Sequence, residues 1–127
     1  TISKMLNLGG TMNNLCTKLN QWGCDIPGAM RRFLDDEDLY TSCLATMLAD
    51  DSFEKLGMAI QESDVTKAFD AAHSLKGTLG NMGLTPMYEI IIQIVEPLRD
   101  GKLDGIAEKY EILMAKKAEL VAIKESC

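Results

Sequence analysis

The chain has one histidine, three prolines and no CxxC pair, and each scarcity closes a route. A single imidazole leaves the four scattered cysteines, Cys16, Cys24, Cys43 and Cys127, little with which to complete a zinc site, so no metal is expected. Thiols without that spacing read as buried or free in a reducing cytosol, which makes the cytoplasm the expected compartment. Long apolar runs are missing too. The tightest cluster is Ile90-Ile91-Ile92 with Ile94 and Val95, far short of a membrane span. The amino terminus has no basic region leading into an apolar stretch, so no signal peptide is expected. Positive charge is in deficit, with 13 Lys and Arg against 19 Asp and Glu and a net charge of −6. The only adjacent basic pairs are Arg31-Arg32 and Lys116-Lys117. That balance argues against nucleic acid or an anionic membrane surface as partner. No G-x-x-x-x-G-K-[ST] sequence and no glycine-rich loop after a strand is present, so an autonomous nucleotide-using enzyme is not expected.

What is present is helical spacing. Hydrophobic residues are 46% and charged residues 25% of 127, an ordinary globular composition sized for one domain over 1–127. Met12, Leu15, Cys16, Leu19 and Trp22 recur at three and four residues and predict a first helix, after an interruption at Gly9-Gly10. Residues 23–28, with Pro27, read as a loop. Leu39, Cys43, Leu44, Met47 and Leu48 form the next stripe, and the acidic run 35–38 before it suits a helix start better than a calcium loop. Ser52 is expected to cap a short helix, and Ser63 or Asp64 the one after it, whose inward stripe includes Ala68, Phe69, Ala72, Leu75 and Leu79. Thr85-Pro86 signals another start, Pro97 its last turn, and Asp100-Gly101 the turn beyond. Leu103, Ile106, Tyr110, Leu113, Leu120 and Ile123 mark a final helix. Strand alternation is nearly absent. The expected fold is all-α, an antiparallel bundle over 31–124 with an amino-terminal helix and loop in 1–30.

One segment runs against stability. If Ala72, Leu75 and Leu79 point inward, then His73, Lys76, Gly77 and Gly80, at i, i+3, i+4 and i+7, share one outer face. Two glycines inside an exposed helix cost roughly 2 kcal/mol against alanine, a large share of a small domain's margin. Stability does not explain them; clearance for an approaching surface does. Gly83 is simply a helix C-cap. Imidazole is largely unprotonated near neutral pH and offers a nucleophilic nitrogen. Lys76, one turn on, supplies positive charge for phosphoryl oxygens.

His73-Ser74-Leu75-Lys76-Gly77 followed by Gly80 and Gly83 resembles the H-x-L-K-G-x-x-G-x-x-G pattern of bacterial histidine phosphotransfer (HPt) domains. Ala71-Ala72, Asn81, Leu84, the segment Leu98-Arg99-Asp100-Gly101 and the stretch 50–56 are similar to that family as well, so the likeness spans roughly 30–123. The resemblance implies an antiparallel four-helix bundle, with further short helix at the amino end. It implies His73 as phosphoacceptor, Lys76 as phosphoryl and partner electrostatics, and Gly77 and Gly80 as docking clearance. A polar residue on the neighbouring helix orients the imidazole in some members. Val95 stands near the matching position, and Gln93, two residues off, is the candidate for that role. The implied protein is a phosphocarrier rather than an enzyme and holds no cofactor of its own. It would relay phosphate between aspartates on receiver domains of response regulators or hybrid histidine kinases, and a monomer is the expected state, since a phosphorylation face must stay open. The competing expectation is a helical interaction module that docks a partner without being phosphorylated.

Overall fold

The computed structural model describes residues 14–127, and the regular structure among them is helical: α1 (Asn14–Trp22), α2 (Ile26–Arg32), α3 (Glu37–Leu48), α4 (Ser52–Gln61), α5 (Val65–Asn81), α6 (Thr85–Arg99) and α7 (Ile106–Glu125). The Gly9-Gly10 interruption and Met12 lie outside the described residues. Helix α4 packs on α5, α5 on α6, α6 on α7, and α7 returns to α4. Those four helices form the expected bundle, and α1 packs on α7 and α2 beside it.

Local chemistry sets the boundaries. The acidic run does start α3: the Asp36 carboxylate accepts the Leu39 N–H at 3.0 Å, and Glu37 and Asp38 occupy the first turn. Asp64, not Ser63, caps α5 by accepting the Lys67 N–H at 3.1 Å. Ser63 instead takes the left-handed backbone (φ 56°) that ends α4. Ser52 is not a cap. It is the first residue of α4, and its N–H donates to Asp50 Oδ1 at 2.8 Å.

The loop expected over 23–28 is shorter than that. Helix α2 begins at Ile26 with Pro27 in its first turn, where the missing N–H has no intrahelical partner to lose. Asp25 closes the start by accepting the Gly28 N–H at 3.1 Å. Proline initiates a helix as readily as it breaks one; the sequence reading gave Pro86 the first role and Pro27 only the second.

Inside, Tyr40, Leu44, Phe53, Leu56, Leu75, Leu79, Ile91 and Ile94 are fully or almost fully buried. Helix α7 reaches this core through Ile106, Leu113 and Leu120, seven residues apart, a spacing that returns to the same helix face. Cys16, Leu19, Ile26 and Ala29 join the same core from α1 and α2. Trp22 Nε1 ties α1 to α7 by donating to Glu119 Oε1 at 3.0 Å.

Candidate functional site: the outer face of helix α5

Helix α5 turns Ala68, Ala71, Ala72, Leu75 and Leu79 into the core. The 3.6-residue period then leaves His73, Ser74 and Gly77 exposed, with Lys76 and Gly80 half-buried beside them. A shallow depression is lined by His73, Lys76, Gly77, Gly80, Asn81 and Tyr88. The structure therefore brings four of the five expected site residues together.

The imidazole is held by one neighbour. Phe69, one turn back, stacks on it with ring centroids 5.5 Å apart and planes 18° from parallel. Stacking covers a ring face and leaves the ring edge, where both nitrogens lie, uncovered. Among the described residues no side chain or carbonyl makes a hydrogen bond to the His73 ring. Arg99 on α6 places its guanidinium carbon 5.3 Å from the Phe69 ring centroid and also meets Glu96 at 3.6 Å.

Gln93 is elsewhere. Its Nε2 donates to the Glu89 carbonyl at 3.0 Å, and its Oε1 accepts from Lys109 Nζ on α7 at 2.7 Å. The structure does not bring it to His73. Gly80 beside Tyr88 and Phe69 beside Arg99 fix the register of α5 against α6, and that register carries Val95 opposite His73. Val95 is fully buried and apolar. The position from which an orienting group would reach the imidazole therefore holds no hydrogen-bonding side chain.

The two glycines differ. A β-carbon built on Gly77 meets nothing within 4 Å, whereas one on Gly80 comes 3.2 Å from Tyr88 Cε1. Gly77 leaves room for something outside the chain, and Gly80 makes room for the α6 ring. Gly83 ends α5 as expected, one residue past the Met82 C-cap: its φ is 68°, Leu84 N–H donates to the Leu79 carbonyl at 3.0 Å, and Gly83 N–H to the Gly80 carbonyl at 3.1 Å. It has a second reason to be glycine, because a β-carbon there would lie 2.5 Å from the Asp25 carbonyl oxygen.

The far end of α5 is tied from outside the bundle. Arg32 Nε donates to the Asn81 carbonyl and Arg32 Nη2 to the Gly80 carbonyl, each at 2.9 Å. The buried Tyr40 hydroxyl donates to the Met82 carbonyl at 2.7 Å, and Asp25 N–H to the Gly83 carbonyl at 2.8 Å. Sequence reasoning missed Phe69, Tyr88 and Arg32 as parts of this site. The apolar spacing sets Phe69 in the inward stripe, but it is only half-buried and stacks on His73, four residues on. Arg32 and Tyr88 depend on how separate helices meet.

A family model for the Hpt domain matches residues 38–125. The chain belongs to the Hpt domain family. No curated protein and no solved structure matches the chain. Hpt domains are helical phosphocarrier modules of phosphorelays that interact with receiver domains, and the match takes in α3 almost whole and α4 to α7 complete. Helices α1 and α2, with Arg32, stand outside the matched Hpt region. No helix among the described residues is long and apolar enough to cross a membrane.

Proposed function

We propose that this chain carries a phosphoryl group on His73 and relays it between aspartates of receiver domains. The observation that carries the reading is the exposed His73 edge beside Lys76, with open space over Gly77, within a chain of the Hpt family. In the step proposed, an unprotonated imidazole nitrogen attacks the phosphorus of a receiver's aspartyl phosphate. The nitrogen–phosphorus bond forms as the acyl–phosphate bond breaks, the carboxylate leaves with the electron pair, and the other ring nitrogen releases its proton to water. The reverse step loads the next receiver.

Lys76 stands one turn from the imidazole, where a cation offsets charge on the equatorial phosphoryl oxygens. A neutral imidazole needs no base to free its attacking nitrogen, and the receiver brings the metal ion and acceptor carboxylate. A relay of this kind works as a monomer, since a second copy seated on this face would cover His73.

The test is label transfer. Receiver domains charged with acetyl phosphate are mixed with the chain, and acid-labile, base-stable phosphate is assayed on it. We expect label on the unaltered protein and none on a folded His73→Gln variant. A folded, unaltered chain that takes no label from any receiver would overturn the carrier reading and leave a docking module.

A further inference from the structure

Helix α5 ends at the face where a receiver would dock, and the C-terminal end of a helix carries the equivalent of about half a negative charge. An acidic partner surface approaching that end meets repulsion unless a cation offsets it. Helix α5 supplies none: its last turn contains no basic residue. The cation comes from α2, where Arg32 spends two of its donors on the carbonyls of Gly80 and Asn81. A guanidinium has five N–H donors in a planar fork, so three remain, and Arg32 is exposed. Asp25 lines the same hollow, together with Gly80 and Tyr88. Its carboxylate is engaged by the Gly28 N–H, and no ion pair joins it to Arg32 among the described residues.

Gly80 and Tyr88 wall both this hollow and the depression holding His73, so the two are one continuous surface. Gly80 is seven residues from His73, about 10 Å along the helix axis. A specific interface covers roughly 800 Å² per partner, a disc of about 16 Å radius. A disc of that size centred on His73 takes in the end of α5 and the guanidinium seated there. In a chain of net charge −6, this face then shows Lys76 and Arg32 on one side of the imidazole and Arg99, paired with Glu96, on the other.

We propose that Arg32, contributed by the segment outside the Hpt match, is a docking residue for the acidic face of the receiver domain. It offsets the negative end of α5 and speeds productive encounter. The proposal rests on the phosphotransfer reading and adds to it the residue that admits an acidic partner to this end of the site.

The experiment measures transfer from acetyl-phosphate-charged receiver domains to His73 as a function of chain concentration and of NaCl, for the unaltered protein, Arg32→Gln, Arg32→Lys and Asn81→Lys. Charge steering acts on encounter and is screened by salt. Arg32→Gln is expected to lower the second-order rate roughly three- to tenfold, leave the rate at saturation unchanged, and flatten the salt dependence. Arg32→Lys keeps the charge without the fork. It is expected to hold the salt dependence even where its melting temperature falls, which a purely structural role for Arg32 would not allow. Asn81→Lys puts a cation on α5's own exposed last residue. It should restore rate and salt dependence in the Arg32→Gln background and steepen the salt dependence alone, so the question stays decidable if Arg32→Gln does not fold. Arg32→Gln with an unchanged second-order rate and salt dependence would sink the proposal. So would a loss confined to the saturated rate, or an Asn81→Lys chain that behaves as the unaltered one. In each of those cases label on unaltered His73 leaves the carrier reading intact, whereas an unlabelled unaltered chain removes both.

Discussion

Gly77 and Gly80 stand three residues apart on α5, and a methyl group added to each meets different surroundings. In open space, Gly77→Ala recovers helix propensity, and we expect it to stabilise the chain by about 0.8–1 kcal/mol, read as a rise of a few degrees in melting temperature. Gly80→Ala must displace the Tyr88 ring, and most or all of that gain is expected to vanish. A bulky residue at 77 separates stability from function. Gly77→Phe should stay folded yet lose about tenfold or more in label transfer, the equivalent of roughly 1.4 kcal/mol of obstruction at the encounter. The outer face of α5 was legible in the sequence because both glycines and Lys76 fall on the histidine's own helical period. The division of labour between the glycines was not, since Tyr88 arrives from another helix. Gln93 shows the same limit. Counting along the chain reaches the neighbourhood of His73, but a shift of two residues turns a side chain by about 200°, to nearly the opposite side of the helix, here toward Lys109 on α7.

Among the elements, α5 is unusual in having its carbonyl end satisfied by three other segments. The residues just before α2, α2 itself and α3 each donate to it, through Asp25 N–H, Arg32 and Tyr40. The Tyr40 bond is the buried one. Tyr40→Phe keeps the ring and its edge-on contact with Phe33, centroids 5.3 Å apart, while leaving the Met82 carbonyl without that donor. An unsatisfied buried acceptor costs about 1–3 kcal/mol, and a lower urea midpoint at unchanged slope is the expected result. The helices themselves were largely legible, because the acidic run at 35–38, Thr85-Pro86 and Asp100-Gly101 are start and stop signals with a local mechanism. Helix α2 was not, because seven residues give too short a stripe to read and Pro27 looks like a break. What makes α2 a stable helix is burial of Ile26, Ala29 and Met30 against the rest of the chain, a tertiary cause.

At the scale of the molecule, α1 and α2 belong to the same core as the Hpt-matched helices, and two of its thiols report on that core. Burial pushes the Cys16 thiol up to about 11, with a smaller contribution from Glu37, and the Cys24 thiol up to about 12. Tyr40 is raised as well, chiefly by burial. A thiol whose folded value lies above its ordinary 9.0 is protonated in both states below pH 9, so stability there is unaffected. Between pH 9 and about 12 the unfolded chain sheds the proton first, and stability falls as pH rises. Urea midpoints are therefore expected to hold up to pH 9 and decline beyond it. With a thiol reagent at pH 8, exposed Cys127 should react at once, and Cys16 and Cys24 only as fast as the fold opens. The ties at the end of α5 bear on how the fold opens. Helix ends ordinarily fray, and their amides exchange with solvent through small local fluctuations. Here the carbonyls of Gly80 to Gly83 are each held by a donor from the first 40 residues. The last turn of α5 can then loosen only if that donor set lets go, so its amides should exchange as slowly as those at the centre of the helix. A partner arriving at this end meets a surface already set in shape, and adjustment to fit falls to the partner.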